Sequence, residues 1–338
     1  MPTLVDTVFA ELRTVGCVAT NSYLHFQCDF IKAIEAAAAN DHVLQLYISK
    51  LLPIAQTPNF SLSGQLTNDF MQILGEASFY FLCKNKDMQL DPVPRANGIK
   101  TPDFKLVINN NVMHFEVKTL SIVDGKNGIT KDLEDSLEAH AEIEKQLSMG
   151  RKVASGISVS QPYGEKPYAK GPMTAVIETL INKFIQNFKP GQFDYPNTFA
   201  VINMSCIHPF RTEPVVLRPA YCDDYMFSKA ITGDLWMLAF GKLGMVIHGT
   251  PEFEGKPCVE GLLKTEGILA GDEYRNIKGI FTVIYPWQHP PVIWGLFRSE
   301  DYIDWNDNNH ELLSTIFNLV GDTWNDDLDS NGWRLQGQ

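Results

Sequence analysis

Residues 100 to 118 read Lys-Thr-Pro-Asp-Phe-Lys-Leu-Val-Ile-Asn-Asn-Asn-Val-Met-His-Phe-Glu-Val-Lys. This stretch holds two apolar runs, Phe104 to Ile108 and Val112 to Leu120 (the second extends two residues past the stretch), with three asparagines between them. Asparagine tolerates the positive φ that tight hairpin turns require, so the pattern predicts a β-hairpin. The sequence therefore supplies two adjacent antiparallel strands near the middle of the chain.

The hairpin places charged side chains on one face. Successive side chains of a strand alternate between faces, so Glu116 and Lys118 share the face opposite to the apolar residues. Counting back along the ladder from a two-residue loop at Asn109-Asn110 sets Asp103 directly opposite Glu116. Facing carboxylates repel unless a cation lies between them, and hard oxygen ligands suit Mg²⁺ or Mn²⁺. We therefore predict half of a metal site, with the Lys118 ammonium beside it to orient a water or to neutralise charge on a phosphate.

These residues resemble the PD-(D/E)xK nuclease superfamily, the restriction-endonuclease-like fold that includes restriction enzymes, Holliday-junction resolvases and RecB-type exonucleases. Pro102-Asp103 matches the PD of the family, and Glu116-Val117-Lys118 matches its (D/E)xK. The family often adds a glutamate from the helix before the hairpin, and Glu76 in the predicted helix Leu66 to Lys84 matches it. The resemblance covers roughly residues 66 to 205. No Gln-x-x-x-Tyr motif follows Lys118, which argues against the RecB-type branch.

The resemblance implies a role for each matching residue. Asp103 and Glu116 would ligate the metal ion, Glu76 would complete the acidic cluster, and Lys118 would assist the nucleophile. The competing interpretation is an ordinary surface hairpin with a solvated charged face, and for Glu76 a carboxylate at the rim of an apolar helix. His114, which stands next to this group in the sequence, is expected to be a surface residue.

Composition places the chain among soluble, cytoplasmic, globular proteins. Its 338 residues are 44% hydrophobic, which is enough for a full core, and no apolar run approaches the roughly 18 residues of a membrane span. No signal-peptide pattern opens the sequence, and six scattered cysteines without a Cys-x-x-Cys pair are expected to be reduced thiols. Most of the net charge of -12 comes from residues 299 to 338, which contain nine acidic residues and one basic residue, Arg334. That segment is expected to be a solvated face, or else to shield a basic groove or dock a partner.

The predicted fold class is α/β, a restriction-endonuclease-like core with a central mixed β-sheet flanked by helices. The predicted domains are a helical N-terminal cap (1–62), a nuclease-like domain (63–298) and an acidic C-terminal extension (299–338). Periodicity and cap signals predict further elements. The predicted helices are Phe30 to Ala39, Asp41 to Leu52 (ended by Pro53), Lys131 to Met149, Met173 to Phe188, Gly233 to Gly244 and Glu311 to Val320; the predicted strands are Thr198 to Met204, Gly279 to Tyr285 and Val292 to Phe297.

The segment from Arg151 to Gly171 is a candidate nucleic-acid interface. It carries four bases against one acid, with two tyrosines among Gly, Ser and Pro. Long loops without periodicity are often functional, and basic and aromatic side chains can hold phosphates and stack on bases. The predicted nucleic-acid-binding residues are Arg151, Lys152, Lys166 and Lys170. The alternative is a merely flexible connection.

Taken with the resemblance, these patterns predict a Mg²⁺- or Mn²⁺-dependent phosphodiesterase of endonuclease type. Metal-activated water would attack phosphodiester bonds in line, in DNA rather than RNA. The alternative is a non-catalytic module on the same fold that binds nucleic acid or protein. The sequence leaves the oligomeric state open, a homodimer included.

Overall fold

A computed structural model describes residues 3–14, 27–58, 60, 63–94, 100–109, 111–121, 125–157, 172–206, 213–222, 230–249, 259–286, 289–301 and 310–331. The chain divides into two compact units. Unit 1 comprises Met1–Ser78, Ser121–Pro167 and Ser205–Pro209; unit 2 comprises Phe79–Leu120, Tyr168–Met204 and Phe210–Gln338. The boundaries of these two units differ from those of the three domains predicted from the sequence, 1–62, 63–298 and 299–338.

Unit 1 is mainly helical in the residues described. Its helices are α1 (Leu4–Thr14), α2 (Cys28–Ala38), α3 (His42–Ala55), the first part of α4 (Gly64–Lys84) and α5 (Gly125–Ser148). The Asp41 carboxylate caps α3 by accepting the Leu44 N–H at 3.0 Å, as expected of an N-cap aspartate. The prediction that Pro53 ends this helix is wrong, because α3 continues through it to Ala55.

Unit 2 is built on a mixed sheet of seven strands, so the protein is α/β with helices flanking the sheet. The strands of this sheet are β1 (Asp91–Pro92), β2 (Phe104–Ile108), β3 (Asn111–Ser121), β4 (Thr198–Cys206), β9 (Ile277–Ile284), β10 (Val292–Phe297) and β11 (Trp324–Asp326). Their order across the sheet is β1-β2-β3-β4-β9-β10-β11. Pairings β1/β2, β2/β3 and β9/β10 are antiparallel, whereas β4/β9 and β10/β11 are parallel.

Other elements complete unit 2. Two small antiparallel pairs form from short strands, and α7 is shorter than the predicted helix Gly233 to Gly244. The elements are α6 (Pro172–Asn187), β5 (Ala220–Cys222), β6 (Ala230–Thr232), α7 (Asp234–Phe240), β7 (Val246–His248), β8 (Val259–Leu262) and α8 (His310–Val320). None of the helices described is both long and apolar enough to cross a membrane.

Aromatic rings form the centre of the sheet core. Phe115 on β3 lies 5.8 Å from Phe199 on β4 and 6.0 Å from Phe281 on β9, measured between ring centroids. Phe79, from the end of α4, covers the same place with its ring 5.4 Å from that of Phe115. All four side chains are fully buried. Rings at these separations add contact energy beyond the area they bury, so β3 is fixed in the middle of the packed sheet.

The acidic segment 299–338 takes part in the sheet through β11. Asp326, the last residue of β11, is fully buried, and its Oδ1 accepts the backbone N–H groups of Leu328 and Ser330 at 2.9 Å each. Asp327 accepts the Ser299 N–H at 2.7 Å. Asp326 therefore closes the turn after β11 and Asp327 contacts the residue that begins this segment. The buried Asp326 departs from the predicted solvated face, whereas Glu300, Glu311, Asp322 and Asp327 are exposed, as that prediction requires.

Candidate active site

The predicted hairpin is present with the predicted register. Ile108 pairs with Asn111 and the ladder continues to Phe104 opposite Phe115. Asn109 adopts φ 52°, the positive value for which asparagine suits such a loop. Met113, Phe115 and Val117 are buried on one face, as the alternation requires.

Asp103 lies one residue beyond the ladder. Its backbone N–H donates to the Phe115 carbonyl at 3.0 Å, and its Oδ2 accepts the Val117 N–H at 2.8 Å. The carboxylate is thus the acceptor for a backbone N–H of β3 that lies just beyond the last residue of β3 paired with β2. Only 8% of the Asp103 side chain is exposed, so two backbone contacts and burial hold it against this strand.

Lys118 brings the two carboxylates of the hairpin together. Its Nζ lies 3.6 Å from Asp103 Oδ2 and makes an ion pair with Glu116 Oε1. The ammonium also donates to the Val117 carbonyl at 3.3 Å. One cationic group therefore contacts both acids and offsets the repulsion between two close negative charges.

The charged face of the hairpin is covered, contrary to the surface-hairpin interpretation. Glu116 is 1% exposed and Lys118 is about one-fifth exposed in its side chain. His114 is also buried, with Nδ1 2.8 Å from the Pro196 carbonyl and its ring 5.2 Å from that of Tyr195. The expectation of a surface histidine is wrong, because the segment before β4 lies over this end of β3.

Gln192 joins the group, although no sequence pattern indicated it. It ends a short 3₁₀ turn, Pro190–Gln192, between α6 and β4. Its Nε2 donates to Glu116 Oε1, and its Oε1 accepts the Lys189 N–H at 2.7 Å. A Pro-Gly turn ahead of a strand is the only sequence signal here, and it predicts a turn without predicting what the next side chain contacts.

The remaining predicted residues lie in unit 1 or outside the described residues. Glu76 belongs to unit 1, where its Oε2 accepts the Tyr47 hydroxyl at 3.1 Å. Arg151 and Lys152 also belong to unit 1 and are exposed. Lys166 and Lys170 lie outside the described residues. The role of Glu76 as a metal ligand stays a prediction. The role of the four basic residues in nucleic-acid binding stays a prediction as well.

A divalent cation fits the donor set of the hairpin. Asp103 and Glu116 supply hard carboxylate oxygens, and the Lys118 ammonium already occupies a cation position in contact with both. Mg²⁺ is usually bound by one or two carboxylates together with waters and substrate phosphates, so two ligands suffice. Within the described ranges no three His, Cys, Asp or Glu side chains converge closely enough to hold a metal ion.

Comparison of the chain with protein-family models, curated proteins and solved structures returned no match.

Proposed function

We propose that this protein is a metal-dependent nuclease that hydrolyses phosphodiester bonds, with DNA as the favoured substrate. The fold proposed for its core is the restriction-endonuclease-like one, with Asp103 and Glu116 as metal ligands and Lys118 as the residue that assists the nucleophile. The observation that carries the proposal is the contact of one ammonium with both carboxylates. The pairing of Pro-Asp before one strand with Glu-x-Lys inside the next supports it.

The chemistry follows from the groups on the hairpin. A divalent cation bound by Asp103 and Glu116 would supply an acidified water and neutralise phosphate charge. Lys118, released towards the substrate, would orient the attacking water or compensate charge on the phosphate. The Val117 N–H holds the Asp103 carboxylate in place, so one metal ligand is oriented by the backbone itself.

A second candidate is a non-catalytic module that binds nucleic acid or protein. The observation that favours it is the burial of Glu116, because a buried acid paired with a lysine can serve the fold alone. In that case the ion pair would fix the end of β3, and no cation would be needed. The two candidates differ in one measurable property, which is binding of a divalent metal ion.

The test is cleavage of supercoiled plasmid and of RNA with Mg²⁺, with Mn²⁺ and with chelator. Asp103→Asn, Glu116→Gln and Lys118→Met keep side-chain shape, which the burial of this face requires. Lys105→Met is the matched control, because Lys105 is a half-buried lysine of the same hairpin that pairs with His114. We expect metal-dependent cleavage by the wild type and by the control, with loss in the other three. Cleavage that survives Glu116→Gln, or that persists in chelator, would refute the proposal.

A further inference from the structure

Gln192 has one possible amide orientation. Its Oε1 accepts the backbone N–H of Lys189 at 2.7 Å, which leaves the amide nitrogen to face Glu116. The oxygen and nitrogen of a glutamine are otherwise assigned only from such a network. Because a backbone N–H can donate but not accept, the side chain presents a hydrogen-bond donor to the carboxylate and cannot present an acceptor.

The same carboxylate oxygen has two donors of unequal rigidity. Glu116 Oε1 receives the Gln192 amide and the Lys118 ammonium. The ammonium stands on a flexible four-carbon stem and has Asp103 as a second partner. The glutamine is anchored at its other end to the turn that precedes β4. When Lys118 turns to another partner, Gln192 is the donor that stays.

We propose that Gln192 is a positioning residue that fixes the Glu116 carboxylate as a metal ligand. This inference rests on the proposed function, and it adds to the site a residue from the turn between α6 and β4, which is outside the hairpin. The terminal torsion of a glutamate is broad, so a buried carboxylate without such a donor turns away from the ligating geometry. Gln192 acts through Glu116 and touches neither the metal ion nor the substrate.

Partners that hydrogen-bond a ligating carboxylate have a measurable effect on the metal. Their mutation typically lowers metal affinity or activity by about 10- to 100-fold. We therefore expect Gln192→Met to weaken Mn²⁺ binding within that range. Excess Mn²⁺ should restore much of kcat, while KM for DNA changes little, because the phosphate contacts are unaffected.

The experiment is calorimetric titration of chelator-treated full-length protein with Mn²⁺ alone, without nucleic acid. The variants are Gln192→Met, which removes both hydrogen bonds, and Gln192→Asn, which keeps an amide but shortens its reach by one methylene. Gln186→Met, at an exposed position near the end of α6, is the matched control. We expect weaker Mn²⁺ binding by both Gln192 variants and wild-type binding by the control. Circular dichroism establishes which variants are folded, and either Gln192 variant suffices.

The outcomes separate this inference from the proposed function. If the wild type binds Mn²⁺, Glu116→Gln loses it and the Gln192 variants bind as tightly as wild type, then Gln192 serves only its turn and the inference is overturned. If the wild type does not bind Mn²⁺, the metal site itself is wrong and both proposals fall. Equally weakened binding by the Gln186 control would show a general effect of substitutions in this part of the chain and would also overturn the inference.

Discussion

Replacement of Asp103 by asparagine tests whether the Lys118 ammonium balances the acidic pair. Viewed from the sequence alone, Asp103 and Glu116 repel each other in the metal-free protein, so Asp103→Asn should raise the melting temperature. The structure reverses this expectation. The Asp103 carboxylate accepts the Val117 N–H at 2.8 Å and lies 3.6 Å from the Lys118 Nζ. Its negative charge therefore has a cationic partner and strengthens a hydrogen bond to the backbone. We expect the variant to be less stable than wild type in chelator.

The magnitude follows from two losses. A hydrogen bond to a charged group contributes about 1.5 to 3 kcal/mol and a neutral one about 0.5 to 1.5 kcal/mol, so neutralising the acceptor costs about 1 kcal/mol. The ion pair to a partly exposed lysine adds at most about 1 kcal/mol after screening. A loss of about 1 to 2 kcal/mol corresponds to a decrease in melting temperature of about 2 to 8 °C in a domain of about 150 to 250 residues.

The assay is thermal unfolding of wild type and Asp103→Asn, each with chelator and with excess Mn²⁺. Mn²⁺ at 100 times its dissociation constant should stabilise the wild type by about 2.7 kcal/mol and the variant by much less. Asp91→Asn, an exposed aspartate on β1, makes the same chemical change and should alter neither temperature. A higher melting temperature for Asp103→Asn in chelator would show that repulsion dominates. Equal stabilisation of both proteins by Mn²⁺ would show that Asp103 is not a ligand.

Three further changes test other parts of the structure. Lys118→Met leaves both carboxylates without their shared ammonium, so the free energy of unfolding in chelator should fall by about 1 to 3 kcal/mol. Mn²⁺ should bind this variant more tightly, because it no longer competes with the ammonium for the carboxylates. Weaker binding in a calorimetric titration would contradict this prediction. Gly295→Ala places a methyl group against the ring of Phe297, so the free energy of unfolding should fall by about 1 to 3 kcal/mol and the denaturation midpoint should move to a lower denaturant concentration. An unchanged midpoint would mean that β10 can shift to make room for the methyl group. Alanine at Lys152, Lys166 and Lys170 together should weaken DNA binding and reduce the slope of log affinity against log salt by about 0.9 per lost phosphate contact; an unaltered slope would remove this segment from the interface.

The hairpin could be predicted because its signals are local. A loop of asparagines, strict alternation and two apolar runs fix the register within a few residues, and the ladder from Phe104 to Phe115 follows it. Asp103 differs in one respect, because its backbone leaves the ladder and its carboxylate accepts the Val117 N–H. The Val117 N–H thus donates to a side-chain oxygen in place of a backbone carbonyl, and no periodic pattern in the sequence predicts such a hydrogen bond.

What the sequence could not supply depends on segments that meet only in the folded chain. The burial of His114 and Glu116 comes from residues that precede β4, far along the chain. The alternation of apolar and charged residues does not reveal this cover, so it leaves a solvated surface hairpin open as an alternative. Strands β5 to β8 have three or four residues each, too few for a period to be recognised. The acids of segment 299–338 suggested a solvated surface, yet Asp326 is buried because its carboxylate closes the turn after β11.

The donors of the site differ in how far along the chain they lie from the acids they hold. The bond between Asp103 and Val117 spans 14 positions, whereas that between Gln192 and Glu116 spans 76. Hairpins close in about 1 to 10 μs, and contacts between distant segments form later because a long loop must first be closed. A refolding chain should therefore hold its acidic pair and ammonium before the glutamine arrives. Divalent cations present at that stage would meet both carboxylate ligands before Gln192 holds Glu116 in place, and the order of assembly should become visible in how the cations change the refolding rate.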